Sequence, residues 1–240
     1  MSWAPLPWKA FLLGGPDRKK FLHGLVTNDV NNLQPGRELP ACVLTPKGMM
    51  QALLWIYDVP EGLLLLSPEE CAANLEAALS KLVMLSESSL AKDARPLFWT
   101  DAGEGLPFSA YGADGRLVFA RPSGESADLE ARRVEAALPR WGVDVDDKTI
   151  PLEAGLERAI SYNKGCYMGQ ETISRIHHLG HVNRNLLRLR FEGQAPEAPA
   201  AVLKDGVEVG RMTSAAGRYG LAMVRYEAKA PFQIAGLSAA

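Results

Sequence analysis

Cysteine is scarce in this sequence of 240 residues, which contains three: Cys42, Cys71 and Cys166. No two of them form a C-x-x-C pair. A disulfide framework or a zinc ribbon needs closely spaced cysteines, so this composition argues against both. We therefore expect a chain that works in a reducing compartment, with Cys42 and Cys71 as inert side chains on apolar faces.

The sequence also lacks an excess of charge of either sign. Its formal net charge is -2, from 26 basic and 28 acidic residues. Proteins that hold nucleic acid by neutralising phosphates need a field of basic residues, and no global field of this kind exists here. Arginines are frequent in the C-terminal part, so direct binding of nucleic acid by a local basic patch stays open.

Long apolar runs are missing as well. The longest stretches, such as residues 62–67, are far shorter than the roughly 20 residues that span a bilayer. Residues 1–15 have no basic segment followed by a long apolar run, so no signal peptide is predicted. The expected protein is cytoplasmic and has no membrane partner. A hydrophobic content of 47% is enough for a sizeable core.

The first part of the chain alternates strand and helix patterns, which is typical of an α+β fold. Apolar runs predict strands at residues 41–44, 52–57 and 63–66. The best-defined helix is expected from residue 68, because Ser67 can cap it, Pro68 suits its first position and Glu70 completes a capping box. Shorter helices are predicted over residues 17–26 and 126–138.

The pattern changes in the C-terminal part. Apolar and polar residues alternate over residues 187–191, which is the period of a strand. Farther along, Asp205 and Gly206 stand between two apolar runs and form a two-residue hairpin signal. These features predict a small all-β module with a barrel-like shape.

Functional groups are densest at residues 164–171, which read K-G-C-Y-M-G-Q-E. Gly165 and Gly169 permit a close approach to the main chain, and a helix that starts near Gly169 would present free N–H groups. A nearby cation and a helix N-terminus both favour a thiolate, so Cys166 is predicted to be the most reactive thiol. The competing interpretation is a simple glycine turn with Cys166 as a small buried hydrophobic residue.

Three further side chains of this segment suit a planar heterocycle. Gln170 and Glu171 offer donors and acceptors for an amide-like edge, as a pterin has, and Tyr167 has a ring that can stack on it. Residues 164–171, with Arg175 after them, resemble the K-G-C-[FY]-x-G-Q-E signature of the YgfZ-type folate-binding proteins, which are relatives of the glycine-cleavage T-protein (aminomethyltransferase). Residues 21–30, 41–48 and 151–153 are also similar to segments of that family.

The resemblance implies a fold and a domain division. The implied architecture is a folate-binding core of residues 1–48 with 143–182, interrupted by a ferredoxin-like α+β domain of residues 49–142. A C-terminal β-barrel of residues 183–240 follows. Tetrahydrofolate or a one-carbon derivative would lie in a central cavity.

The resemblance also implies a function, which is the assembly or repair of iron–sulfur enzymes, including enzymes that thiolate tRNA. The implied partners are folate and iron–sulfur client or assembly proteins. Cys166 is the expected catalytic thiol, and its step stays open between transient cluster ligation, acceptance of a one-carbon unit or sulfur, and redox sensing. The candidate folate-binding residues are Asn28, Asp29, Glu153, Lys164, Gly165, Tyr167, Gly169, Gln170, Glu171 and Arg175.

Residues 47–52 differ from the T-protein pattern at a point that matters for catalysis. Aminomethyltransferases have a G-G-x-x-D-D-type segment there, whereas this chain reads K-G-M-M-Q-A and has no acid. Loss of a carboxylate removes electrostatic or proton-transfer assistance of roughly 10²–10⁴-fold. Ordinary aminomethyl transfer is therefore predicted to be absent.

Two other functions stay open beside the folate-binding accessory protein. One is a divergent aminomethyltransferase or demethylating enzyme that takes its proton acceptor from elsewhere, such as Asp29. The other is a scaffold that binds tRNA or protein without folate. A metal site is not predicted, because Gly180 interrupts the helix that would have to bring His177 and His181 together.

Overall fold

The computed structural model describes residues 1–240, apart from the side chain of Leu179. Within this described chain there are four α-helices: α1 (Arg18–His23), α2 (Glu69–Val83), α3 (Leu129–Glu135) and α4 (Gln170–Leu179). None of the described helices is long and apolar enough to cross a membrane. The strands are β1 (Ser2–Pro5), β2 (Trp8–Gly14), β3 (Leu39–Leu44), β4 (Met50–Val59), β5 (Gly62–Pro68), β6 (Ser89–Asp93), β7 (Phe98–Thr100), β8 (Leu106–Pro107), β9 (Arg116–Val118), β10 (Glu125–Ser126), β11 (Arg184–Arg190), β12 (Ala200–Lys204), β13 (Val207–Ala216), β14 (Tyr219–Arg225), β15 (Phe232–Ile234) and β16 (Leu237–Ala239). The predicted α+β class is confirmed.

The first sheet has the strand order β3-β4-β5-β2-β6, and all of its neighbours are antiparallel. Every residue of β5 is buried, which explains its continuous apolar sequence. Helix α2 packs on this sheet through Leu75 and Leu79, as the helical spacing predicts. Three 3-10 helices, Val30–Asn32, Ser109–Tyr111 and Glu157–Ala159, lie in the connections.

The predicted capping of α2 is wrong. Ser67 still belongs to β5, where it pairs with Lys9, and its hydroxyl donates to the carbonyl oxygen of Leu53 at 2.9 Å. Pro68 occupies the N-cap position, and the helix begins at Glu69. The capping pattern failed because the strand continues up to the residue before the helix.

The second sheet is small and has the order β10-β1-β7-β9-β8. Helix α3 lies beside it and is shorter than the helix expected over residues 126–138. Its first residue is Leu129, because the Asp128 carboxylate caps the helix by accepting from the N–H of Ala131 at 3.0 Å.

The division of the N-terminal part at residue 48 stays a prediction. Strand β4 lies after this position and pairs with β3, which lies before it. Strand β5 likewise pairs with β2. Any functional boundary at residue 48 therefore runs through a continuous sheet with one hydrophobic core.

The C-terminal part forms a sheet of order β11-β14-β13-β12-β15-β16. The sheet curls until its two ends meet, where Arg190 and Ala240 exchange N–H···O hydrogen bonds of 2.9 and 3.1 Å. Asp205 and Gly206 connect β12 to β13 with φ values of 51° and 80°. The predicted hairpin and all-β module are confirmed, and the module has a hydrophobic core of its own.

A buried ionic network joins this module to α3. The Arg133 guanidinium donates to Asp144 Oδ2 at 2.7 Å and to Ser214 Oγ of β13 at 2.7 Å. It also donates to Glu130 Oε1 at 2.6 Å and to the carbonyl oxygen of Leu138 at 2.8 Å. Since both Arg133 and Asp144 are buried, this network helps to fix how the C-terminal sheet meets the rest of the chain.

Candidate functional site

Two glycines let the residue 45–48 turn dock against the start of α4. Gly169 is the N-cap of α4 and has φ of +81°. A Cβ atom on it would lie 2.5 Å from the carbonyl oxygen of Thr45, and one on Gly48, whose φ is +82°, would lie 2.8 Å from Thr172 Cβ. The close approach expected at Gly169 therefore exists, and it is made by another part of the chain.

Cys166 lies immediately before this junction and is exposed, so the buried-cysteine interpretation is wrong for it, whereas Cys42 and Cys71 are buried. Burial raises the pKa of the Cys71 thiol, which keeps it protonated at neutral pH. The Cys166 thiol borders an open cleft of about 950 Å³. The cleft is lined by Gly24, Leu25, Pro46, Cys166, Tyr167, Met168, Gly169, Gln170, Glu171, Ser174, Arg175 and His178.

One face of α4 forms a wall of this cleft. Glu171, Ser174, Arg175 and His178 follow one another at helical spacing of three or four residues, so their side chains share one side of the helix. None of the described side chains caps the helix N-terminus, which leaves main-chain N–H groups available there. The Arg175 cation, the Glu171 carboxylate and free main-chain N–H groups thus lie together beside the exposed Cys166 thiol.

Tyr167 and Gln170 line the cleft and are bound to each other. The N–H of Tyr167 donates to Gln170 Oε1 at 3.2 Å, which closes the turn that leads into α4. Burial raises the pKa of the Tyr167 hydroxyl to about 12, so the phenol stays protonated at neutral pH. The ring lies under the Lys164 ammonium, with 4.9 Å from Nζ to the ring centre.

Lys164 is buried and belongs to the floor beneath this segment. Its ammonium donates to the carbonyl oxygen of Val26 at 2.6 Å and to that of His23. Burial lowers the pKa of Lys164 to about 8, and the Asp29 carboxylate opposes this shift. Gly165 follows it, and a Cβ there would meet only His23 Nε2 at an ordinary 3.8 Å.

The segment of Thr27, Asn28 and Asp29 is a cross-link between elements. Thr27 Oγ1 donates to the carbonyl oxygen of Ala159 at 2.6 Å and accepts from the N–H of Cys42 at 2.8 Å. The Asn28 amide donates to two carbonyl oxygens, those of Pro40 at 2.8 Å and Arg158 at 3.0 Å. In the described chain neither Asn28 nor Asp29 lines the cleft.

Asp29 has partners of its own. It accepts from the N–H of Asn31 at 3.0 Å and from the Asn32 amide at 2.6 Å. His23 Nδ1 lies 3.4 Å from Asp29 Oδ1. Burial, assisted by the Lys164 charge, lowers the pKa of His23, while Asp29 acts in the opposite direction. The position of His23 between Asp29 and Gly165 was not apparent from the sequence, because it depends on a contact between segments about 140 residues apart.

Glu153 stands away from the cleft. Its carboxylate lies 3.2 Å from Arg184 Nε and accepts from the N–H of Ile150 at 3.2 Å. The structure therefore brings Tyr167, Gly169, Gln170, Glu171 and Arg175 to one cleft with Cys166. Four other candidates, Asn28, Asp29, Lys164 and Gly165, are not part of its lining in the described chain.

The histidines after residue 176 have different surroundings. His177 stacks on Tyr162 with 3.7 Å between ring centres, and His181 stacks on Tyr226 at 4.5 Å. His178 lines the cleft, which the helical spacing from Glu171 could have indicated. Among the described residues, His, Cys, Asp and Glu side chains do not gather in threes as a metal ion would require.

Comparison with known proteins gives independent information about the family. Residues 183–239 match the family model described as the CAF17 C-terminal beta-barrel domain. The chain is 26% identical to an iron–sulfur cluster assembly factor IBA57 homolog, mitochondrial, from Phaeosphaeria nodorum, over 93% of the chain and 70% of that protein. It is 25% identical to the tRNA-modifying protein YgfZ of Pectobacterium carotovorum, over 81% of the chain and 71% of that protein.

Two further matches concern a human relative and the fold. The human iron–sulfur cluster assembly factor IBA57, mitochondrial, is 31% identical over 70% of the chain and 47% of its own length. The crystal structure of glycine cleavage system aminomethyltransferase T from Bartonella henselae superposes with a TM-score of 0.81, at 16% identity, over 99% of the chain and 83% of that protein. The T-protein-like fold with a C-terminal curled sheet is confirmed. The chain is thus similar to YgfZ-type and IBA57-type proteins along most of its length and has the T-protein-like fold.

Proposed function

We propose that this chain is a tetrahydrofolate-binding accessory protein that supports the assembly or repair of iron–sulfur enzymes, with Cys166 as its reactive thiol. The observation that carries the proposal is the exposed Cys166 thiol on the rim of a cleft of about 950 Å³. The relatives named as iron–sulfur cluster assembly factors and as a tRNA-modifying protein support the same area of function. We place its work in the reducing cytoplasm.

The residues of the cleft fit a folate. Its volume is in the range of cavities that hold small-molecule ligands, which is about 300–1,000 Å³. Glu171 and Gln170 can hydrogen-bond the polar edge of a pterin, while Leu25 and Met168 supply apolar surface. Arg175 is suited to a carboxylate of the glutamate tail, because a guanidinium pairs with carboxylates through two parallel hydrogen bonds.

An iron–sulfur client or assembly protein is the proposed macromolecular partner. A second, apolar groove of about 260 Å³ adjoins the cleft and shares Leu25 and Met168 with it. Met168 is 46% exposed, and flexible methionines are common on surfaces that bind proteins. A partner that covers this groove would come next to Cys166.

Calorimetric titration of the full chain with tetrahydrofolate tests the binding half of the proposal. We expect wild type and Cys166→Ala to bind alike, and Arg175→Met to bind about tenfold or more weakly, since a charge-assisted hydrogen bond is lost. Arg225→Met is the matched control, because Arg225 is exposed on β14, outside the cleft. Absence of binding by the wild type would refute the folate assignment.

Activity of an iron–sulfur enzyme in cells tests the role of the thiol. In cells that lack their own relative of this chain, wild type and Arg225→Met should support that enzyme, whereas Cys166→Ala and Cys166→Ser should not. Normal support by both cysteine variants would remove Cys166 from the function. This outcome is independent of the folate titration.

A folate-dependent transferase is the competing function, and the structure of its expected catalytic segment disfavours it. Residues 47–52 form the turn and start of β4, where Met50 and Ala52 are buried and no carboxylate is present. We therefore propose that aminomethyl transfer does not occur. Turnover of a methylamine-type donor with tetrahydrofolate by the purified protein would contradict this.

A further inference from the structure

The lysine of the K-G-C-Y-M-G-Q-E segment does not line the cleft that residues 166–171 border in the described chain. In the described chain Lys164 is absent from the lining, although Cys166 and the five residues after it are part of it. Lys164 instead has 9% of its surface exposed and directs its ammonium toward the end of α1.

We propose that Lys164 is a positioning residue: its ammonium clasps the carbonyl oxygens of His23 and Val26 and thereby holds Cys166 at the rim of the cleft. The proposal deepens the proposed function, because it rests on Cys166 being the working thiol. It also assigns to Lys164 a role other than direct contact with folate.

The two acceptors of this clasp are main-chain carbonyl groups, one at the end of α1 and one just beyond it. Carbonyl oxygens at the end of a helix have no partner within the helix and carry partial negative charge. His23 is the last residue of α1, and Val26 lies three residues beyond it. One ammonium therefore satisfies two acceptors whose positions along the chain differ by three residues.

Charge around the clasp supports a held ammonium. The Asp29 carboxylate favours the charged lysine, and the Tyr167 ring lies 4.9 Å from Nζ, where its face attracts a cation. His23 is the other titratable group next to Lys164, and the two charges disfavour each other. A neutral His23 is thus compatible with the clasp.

The clasp fixes Cys166 because only Gly165 separates the two residues. Gly165 has no side chain to restrict its backbone. Without the clasp, the chain between Lys164 and Cys166 would therefore move freely. The second fixed point is Gly169, which is locked against Thr45. Lys164 and Gly169 thus hold both ends of the loop that carries the thiol.

Hydrogen exchange read by mass spectrometry tests the clasp in the full-length protein without folate or client. Lys164→Met keeps the apolar stem and removes the donors. We expect amides in residues 20–28 and 160–170 to exchange at least about tenfold faster, since two hydrogen bonds to a charged group are lost. Peptides from β4 and β5 should be unchanged. Lys47→Met is the matched control, because Lys47 is exposed on the nearby turn.

Three outcomes decide the matter. Faster exchange confined to the two segments, together with an altered rate of Cys166 alkylation by iodoacetamide and tetrahydrofolate affinity within about threefold of wild type, supports positioning. Unchanged exchange in both segments overturns the proposal, and a tenfold loss of folate affinity beside it would make Lys164 a ligand. Faster exchange with an unchanged rate of Cys166 alkylation also overturns the proposal, because Lys164 would then have a purely structural role. Lys164→Leu, which also lacks donors, provides the same comparison in case Lys164→Met yields no folded protein. Failure of wild type to bind folate would refute the proposed function and leave the exchange result intact.

Discussion

Gly169 and Gly206 have almost the same backbone dihedral, with φ of 81° and 80°, in very different surroundings. A Cβ on Gly169 would lie 2.5 Å from the Thr45 carbonyl oxygen, while one on Gly206 would have no described atom within 4 Å. Substitution of Gly206 therefore measures the cost of left-handed backbone alone. Substitution of Gly169 measures that cost together with a steric clash at the junction.

Gly169→Ala should lower the free energy of unfolding by about 2–4 kcal/mol, because strain in the backbone is added to a clash with fixed main chain. Gly206→Ala should lower it by about 1 kcal/mol, from backbone strain alone. Urea unfolding of both variants checks the difference. Equal losses would mean that the 45–48 turn is not held against α4.

The lowered pKa of Lys164 makes the free energy of unfolding depend on pH. Its pKa in the folded chain is about 8, against an ordinary value of 10.5. Below about pH 8 the side chain is charged in both states, so its contribution is constant. Between pH 8 and 10.5 the unfolded chain binds more protons than the folded chain, so the free energy of unfolding rises with pH.

The wild type should therefore gain stability relative to Lys164→Met as the pH increases from 8 to 10.5, by at most about 1.4 kcal/mol per pH unit. Below pH 7 the difference in free energy of unfolding between wild type and Lys164→Met should not change with pH. Thermal or urea unfolding over this pH range measures it. A difference that falls with increasing pH would show that the carbonyl acceptors, rather than burial, control the pKa of Lys164.

Connections between elements explain why the segment of Thr27, Asn28 and Asp29 is polar although much of it is buried. Thr27 joins β3 to the 3-10 helix Glu157–Ala159, and Asn28 joins the same two regions. Both side chains satisfy main-chain groups that would otherwise be buried without partners. The geometry favours a structural role for Asn28, which the family resemblance made a candidate for folate contact.

Thr27→Val should lower the free energy of unfolding by about 2–3 kcal/mol, because a nearly isosteric side chain leaves one buried donor and one buried acceptor unsatisfied. Thr27→Ser keeps the hydroxyl and loses one methyl group, so it should lower it by about 1 kcal/mol. Urea unfolding compares them. If Ser proves as damaging as Val, packing of the methyl group contributes more to stability than the two hydrogen bonds do.

For the molecule as a whole, the sequence predicted what depends on local pattern. The Asp205-Gly206 hairpin, the buried stripe of α2 and the start of α4 near Gly169 follow from turn chemistry and from the periodicity of apolar residues. The cap at Ser67 failed because sheet pairing with Lys9 prevailed over a local preference. The clasp of Lys164 could not be predicted from the sequence. Its acceptors are main-chain atoms about 140 residues away, and a sequence does not show which distant main-chain atoms a side chain will contact.

The same limit applies to the Arg133 network, which joins the C-terminal sheet to the rest of the chain beside the apolar contacts of Leu186 and Met223 with the larger core. Arg133, Asp144 and Ser214 come from three separate segments, and each looks like an ordinary polar residue in the sequence. The larger core contains the first sheet and α2, and the smaller one lies inside the C-terminal sheet. Coupling between the two cores therefore depends in part on one buried ionic group.

Arg133→Met should lower the free energy of unfolding by about 3–5 kcal/mol, because it leaves the Asp144 carboxylate buried without its cation. Calorimetry should show two thermal transitions in place of one, with the C-terminal sheet unfolding first. Lys92→Met is the control: Lys92 is exposed and pairs with Glu76, so its loss should change stability by less than about 1 kcal/mol. A single transition at a uniformly lower temperature would mean that apolar contacts, and not Arg133, couple the two cores.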